Sequence, residues 1–318
     1  MTPAKRRLRP ILACLTLMLA GAAPAAIASE ACRAAPVGLQ VLGSGGPIAE
    51  GGRAGTSYLL WIAGEPRVLI DAGPGAFIRF GEAGAKVAPL RALLFTHVHG
   101  DHAGGLPGIL NSGSFETGTD PLPVIGPDGN DWLPSTSTYL RGLFDPRTGA
   151  FAYLKGYLDG SDGRRMLSVR EIATATGDAA PQQHDDLMPG LSVTAIPVHH
   201  GENPALGYRL RYGDADIVLA GDQSAFSSQF ETLLAGSKPD LLVVHHAIPE
   251  GEGQPRGLHR APSSLGVLAA AIAPARLILS HNMKRATNRL DEGLAAIRAS
   301  YGGQIDVAGD LDCFVPPR

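Results

Sequence analysis

The segment Thr96-His97-Val98-His99-Gly100-Asp101-His102 gathers three imidazoles and a carboxylate directly after the apolar run 92–95. Imidazole is a good donor for zinc, and a carboxylate adds a hard anionic ligand. Four such groups this close together could hardly serve one tetrahedral ion without strain, but they could feed two adjacent ions. Gly100, Gly104 and Gly105 let the backbone turn tightly around them. The chain has ten histidines and none precedes His97. This spacing is far more specific than a lone histidine, and a merely solvated turn does not require it.

Something must hold that loop. Strand-like runs recur at 37–42, 57–62, 67–71, 92–96, 191–198, 207–212, 216–220, 241–245 and 276–280, most of them β-branched or Leu-rich and bounded by Gly, Pro or Asp. Helical patterns are expected at about 75–84, 103–111, 224–235, 263–273 and 288–300. Pro262 followed by Ser263 and Ser264 suits a helix start, and Pro274 suits its end. The strands come first as a hairpin-rich group and later alternate with helices, which predicts an α/β layered domain with paired sheets. Residues 111–190 are rich in Gly, Pro, Ser and Asp and poorly patterned, and they read as an insertion or set of long loops covering a site. Tyr139, Phe144, Phe151, Tyr153 and Tyr157 within it are expected mostly to pack.

The first 28 residues read as a cleaved export signal: Lys5, Arg6, Arg7 and Arg9, then the apolar run 11–20, then Ala26-Ile27-Ala28. That run is shorter than the roughly 20 residues a membrane span needs, so no stable anchor is expected after cleavage. The expected location is periplasmic or secreted, with 29–318 forming a single domain. Cleavage removes four of the 27 basic residues and none of the 30 acids, so the net charge falls from −3 to −7. An acidic surface argues against a nucleic-acid partner. Cys32 and Cys313 remain, one near each end, and in an oxidising compartment they are expected to pair; two idle thiols are the alternative.

The His97-x-His99-x-Asp101-His102 motif resembles the signature of the metallo-β-lactamase superfamily, whose fold is a four-layer αβ/βα sandwich of metal-dependent hydrolases. Leu42-Gly43-Ser44-Gly45-Gly46-Pro47, Leu69-Ile70-Asp71-Ala72-Gly73-Pro74-Gly75 and Gly104-Gly105-Leu106-Pro107 are similar to the ribonuclease Z, phosphodiesterase and arylsulfatase-like branch. The resemblance implies a third histidine before a Pro-Ala-x-Gly-Tyr-Arg stretch, here His200, with His199 as the alternative. It implies a bridging carboxylate at Asp222, which could also cap a helix, and a last ligand at His281. Two zinc ions follow, iron or manganese remaining open. One would be held by His97, His99 and His200, the other by Asp101, His102 and His281. Asp222 and a water or hydroxide would bridge them. Asp101 is also read as catalytic. His259 is implied to stabilise the transition state or protonate the leaving group, with a plain surface histidine as the alternative. His245-His246 ends another apolar run, where the branch often has an acid after the histidine, and a supporting contact to a ligand is expected there.

The resemblance implies an ester hydrolase acting on a small-molecule sulfate or phosphate ester, with a lactone or other carboxylic ester as the alternative. A non-catalytic binding protein that kept its metal site is the reading from another class. Ribonuclease Z activity itself is not expected, given the export signal, the acidic charge and only 21 residues between His200 and Asp222, where bacterial ribonuclease Z has its RNA-binding arm. A homodimer is possible by the same resemblance.

Overall fold

The computed structural model describes residues 30–317, so the expected export signal lies outside the described residues. Six strands come first, β1 (Val37–Gly43), β2 (Ser57–Ile62), β3 (Glu65–Ile70), β4 (Ala92–Leu94), β5 (Leu122–Pro127) and β6 (Leu167–Ile172). Eight follow, β7 (Gln182–His184), β8 (Leu191–His200), β9 (Asn203–Tyr212), β10 (Ala215–Leu219), β11 (Leu241–His245), β12 (Arg276–Ser280), β13 (Gln304–Val307) and β14 (Cys313–Phe314). They form two seven-stranded sheets, ordered β14-β1-β2-β3-β4-β5-β6 and β13-β12-β11-β10-β9-β8-β7.

Each sheet is antiparallel on one side and parallel on the other. Strands β1 to β3 pair as hairpins and β3 to β6 run parallel. Likewise β7 to β10 are antiparallel, while β10 to β13 are parallel. Side chains alternate between faces along a strand, and most of these strands are apolar on both faces. Tyr58, Leu60 and Ile62 of β2 enter the core between the sheets, together with Leu206, Tyr208 and Leu210 of β9 and Leu241 and Val243 of β11. Leu59 and Trp61 point the other way, under the helices Ala76–Glu82 and Leu106–Gly113. Leu242, Val244, Leu277 and Leu279 meet the helices Pro262–Ile272 and Leu290–Arg298 on the far side. The result is the expected four-layer α/β sandwich. No helix among the described residues is long and apolar enough to cross a membrane.

The segment 111–190 differs from expectation. Rather than loops appended to the sandwich, it supplies β5 and β6 of the first sheet and β7 at the edge of the second. Its pattern was poor because β5 carries Pro123 and Pro127, and the outermost strand β6 carries Arg170 and Glu171 on partly exposed faces. Phe144 and Tyr157 are core residues, Tyr139 and Phe151 pack against that core, and Tyr153 is exposed.

Cys32 and Cys313 form a disulfide with Cα atoms 5.6 Å apart. It pins the start of the domain beside the two-residue strand β14, which pairs with β1 at Leu39–Phe314 and Gln40–Cys313. So short a strand has few ladder bonds of its own. A cross-link over 281 residues restricts the unfolded chain strongly, and removing such a bond costs roughly 2–5 kcal/mol. Reductant, or Cys313→Ser, is therefore expected to lower the urea midpoint by that equivalent. An unchanged midpoint in both would show that the bond contributes nothing to stability.

Candidate metal centre

The carboxyl ends of parallel strands are where open α/β sheets place ligands, and here both sheets deliver such ends to one edge. Asp71 follows β3, the 96–102 loop follows β4, and His200 closes β8. Asp222 follows β10, His245 closes β11, and His281 follows β12. The sheets are stitched together at this edge. The Leu206 amide donates to Thr96 O at 2.8 Å, and Tyr208 Oη donates to Phe95 O at 2.8 Å.

The seven expected ligands converge. His97 Nε2 and His99 Nδ1 lie 2.9 Å apart, and both lie with His200 in one group of donors. His281 Nε2 is 3.2 Å from Asp101 Oδ2 and 3.5 Å from Asp222 Oδ1. His102 Nε2 lies 3.6 Å from Asp101 Oδ2 and 3.7 Å from Asp222 Oδ2. His200 Nε2 and His97 Nε2 stand 3.6 and 3.9 Å from Asp222 Oδ2. A tetrahedral ion with 2.0–2.1 Å bonds separates its donors by about 3.3 Å. The observed spacings scatter around that value, and Asp222 is within reach of both groups.

The residues fit a metal ion on a second count. His102 Nε2, His259 Nδ1 and His281 Nδ1 are buried without a hydrogen-bond partner. An orphaned buried polar atom costs about 1–3 kcal/mol, and for His102 a cation facing Nε2 removes that cost. Burial, helped by the neighbouring His102 and His200, holds His97 well below the usual imidazole range, and burial lowers His200 too. Both therefore stay neutral, as a ligand must. Burial opposes charge on Asp222, yet His281, His259, His245 and His200 outweigh it and keep its carboxyl far below the usual range. Asp101 is likewise held at about 2, burial being outweighed by His281 and His102. His97 and His200 are thus neutral and Asp222 and Asp101 ionised, as a His/Asp metal site requires. Burial lowers His102 too, but Asp71, Asp101 and Asp222 outweigh it and raise it to about 9, so a metal there displaces a proton.

His200, not His199, joins the cluster, because adjacent residues on a strand face opposite sides. His199 Nδ1 instead bonds Ser224 Oγ at 2.7 Å, with its ring against Phe226. The His200 Nδ1–H donates to Leu258 O at 2.9 Å, which leaves Nε2 for a metal. His245 lies within metal-ligand reach of His102, Asp222 and His281. Both its nitrogens are engaged, however, with Asp222 Oδ1 at 2.6 Å and Tyr58 Oη at 3.2 Å, and in this arrangement it supports the carboxylate. His246 faces away toward Asn282, and His184 lies half-buried on the edge strand β7. His259 stands 3.8 Å from Asp222 Oδ1 at the cleft wall, 8% exposed, so it is no surface histidine.

Three residues that the resemblance included without a role, Asp71, Gly46 and Gly73, support the site. Asp71 Oδ2 accepts from His102 Nδ1 at 2.8 Å, and its carboxylate also accepts from the Thr96 amide and hydroxyl, both at 2.7 Å. Asp71 and His281 hold φ of 55° and 52°, a strained left-handed backbone of the kind found at functional sites. Gly46 lies flat on the His281 ring, where a Cβ would come within 2.6 Å of Cε1. Gly73 backs the motif loop, where a Cβ would meet Asp101 O at 2.2 Å. Asp71 ended an apolar run in the sequence, the same signal that marked Asp222 and His281.

The centre opens into a cleft of about 820 Å³. Beside the candidate ligands, its walls come from residues 46–55, 74, 100–104, 255–259 and 285. The loops near 44–56 and 250–260 line it as the sequence suggests, but 111–190, also expected to cover the site, does not. That segment is occupied in completing the first sheet and its helix layer.

A profile described as the metallo-beta-lactamase superfamily matches residues 51–265. Ribonuclease Z of Mycolicibacterium paratuberculosis is 28% identical over 282 residues, covering 85% of this chain and 95% of that protein. Human tRNase Z, short form, superposes with a TM-score of 0.63 at 20% identity, covering 88% of this chain and 100% of that one. Zinc-bound PqqB from Methylobacterium extorquens superposes with a TM-score of 0.58 at 14% identity, covering 87% and 99%. The two structures share the fold. The ribonuclease Z relatives overturn the exclusion of nucleic acid drawn from the acidic charge. Net charge averages over the whole surface, whereas a phosphate is met locally, at the cations of a cleft.

If Asp71 orients His102, Asp71→Ala lowers metal affinity about 10–100-fold, measured by competition with a chromophoric chelator. Asp71→Asn, which keeps an acceptor oxygen, recovers part of it. Wild-type affinity in both variants would remove Asp71 from the account.

Proposed function

The chain belongs to the metallo-β-lactamase superfamily and is a metal-dependent hydrolase, and from that premise we propose that it cleaves phosphodiesters at a centre of two zinc ions. The observation that carries the two-metal reading is Asp222, standing between two groups of donors with its oxygens 3.5 to 3.9 Å from His97, His102, His200 and His281. His97, His99 and His200 would hold one ion and Asp101, His102 and His281 the other, with Asp222 shared. The imidazole-rich donor set favours zinc, and zinc is the metal of the structural neighbour PqqB. The phosphodiester reading is supported by relatives named ribonuclease Z, aligned over most of both chains. RNA is accordingly among the substrates to test.

When bound, the metal pair supplies a water of lowered pKa and neutralises charge on the phosphoryl oxygens. The chain's own residues do the rest. Asp71, Leu258 O and the His245–Asp222 contact fix donor orientations before substrate arrives. In the reaction the water oxygen forms a P–O bond, one ester P–O bond breaks, and the departing oxygen takes a proton. His259 faces the cleft beside Asp222. Burial lowers its pKa to about 4 against the opposing charge of Asp222. A neutral imidazole at neutral pH suits it to donate a hydrogen bond to developing charge rather than to serve as the proton source. We infer a periplasmic or extracellular location, a reading that the disulfide supports.

Zinc-loaded protein is expected to hydrolyse bis-p-nitrophenyl phosphate, and chelation is expected to abolish this. An RNA oligonucleotide, p-nitrophenyl sulfate and a homoserine lactone complete the panel. His259→Ala should lower kcat about 10²–10³-fold with its metal content kept. Turnover of the lactone or sulfate with silence on both phosphodiesters would transfer the assignment to that ester class. Silence on all four with metal bound would make the protein a binding module.

A further inference from the structure

We propose that the cleft takes a phosphodiester with one apolar ester arm, seated against the run Pro47-Ile48-Ala49; this rests on the phosphodiester reading above. All three residues are exposed, Ile48 by 55%, and all three line the metal cleft. Pro255 and Leu258 line the same cleft on the segment that ends in His259. Three consecutive exposed apolar residues are unfavourable unless something covers them, and an apolar wall with few convergent polar groups is the usual make-up of a small-molecule site.

The wall is held out on purpose-built supports. Asp310 accepts from the Ser44 amide and hydroxyl at 3.0 and 2.8 Å, and from the Ala54 amide at 2.9 Å. Arg53 Nη1 donates to Ser44 Oγ and Ala308 O, and Glu50 accepts from the Lys284 amide. The polar side chains of this loop are thus engaged with the body of the protein, Arg53 while also bordering the cleft, and Pro47, Ile48 and Ala49 face the cleft without such bonds. Gly46, the residue before the run, rests on the His281 ring, so the wall begins within one residue of the metal donors. The Leu258 carbonyl accepts from His200 and ties the other wall to the same centre. An arm covering Pro47–Ala49 would therefore reach the metal-facing end of the cleft at its phosphate. The wall is formed in advance, and binding has little loop ordering to offset.

The test is a series of p-nitrophenyl alkyl phosphates from methyl to hexyl, each below its aggregation limit, with zinc-loaded protein. The nitrophenolate leaving group stays constant and only the other arm grows. The value of kcat/KM is expected to climb about two-fold per methylene, half the roughly four-fold that complete burial would give. Ile48→Asp should flatten the series. Phe115→Asp, at an 87% exposed side chain that does not line the cleft, should keep the slope. Equal kcat/KM along the series in the wild type, or an unchanged slope in Ile48→Asp, overturns this inference and leaves the phosphodiester reading intact. No hydrolysis of any member overturns this inference, and the phosphodiester reading falls with it only if bis-p-nitrophenyl phosphate and the RNA oligonucleotide are also left intact.

Discussion

The constraint on which the structure depends is the burial of imidazoles and carboxylates packed against one another, with His102 Nε2 left without a hydrogen-bond partner. His97, His102, His200, Asp222 and His281 are all at most 3% exposed, and their donor atoms face one another. Packing lone pairs and carboxylates together in a poorly solvated place is repulsive, and without a cation it costs several kcal/mol. The architecture is arranged around that cost. Strand ends from two sheets are brought to one edge, and the core between the sheets supplies the burial energy that holds them there. Two backbone positions, Asp71 and His281, stay in left-handed conformations to aim their side chains.

Support extends outward in layers that each have a physical reason. Asp71 sets the His102 tautomer, and the Thr96 amide and hydroxyl satisfy the rest of its carboxylate. His245 bonds the Asp222 carboxylate and is itself held by Tyr58 Oη. Arg260 is buried at 3% exposure and joins Gln223, beside Asp222, to Glu231 and Ser264. It thereby ties the loop of Asp222 to the loop of His259. The disulfide at Cys313 and the carboxylate of Asp310 lie three residues apart, so the C-terminal segment both closes the first sheet and braces the cleft rim.

What could be read in the sequence depended on how local the signal was. His97, His99, Asp101 and His102 were legible because one loop carries them all. His200, Asp222 and His281 lie far apart in the chain, and only the resemblance singled them out from other residues that end apolar runs. The resemblance also favoured His200 over His199, and the physical reason for that choice, which way the strand faces, is a property of sheet packing. Asp71 reaches His102 only because β3 and β4 pair in parallel, with the Asp71 amide bonded to Leu94 O. Composition misled twice. The prolines of β5 and charges of β6 concealed two strands, and a net acidic charge was taken to speak for a cleft whose chemistry is set by a few residues.

The central claim is that Asp222 is shared between two metal ions. Metal analysis of zinc-reconstituted wild type and Asp222→Ala, each verified as folded by circular dichroism, tests it most directly. The account predicts two zinc ions per chain in the wild type and one or none in the variant. Two tightly held ions in a folded Asp222→Ala protein would contradict it.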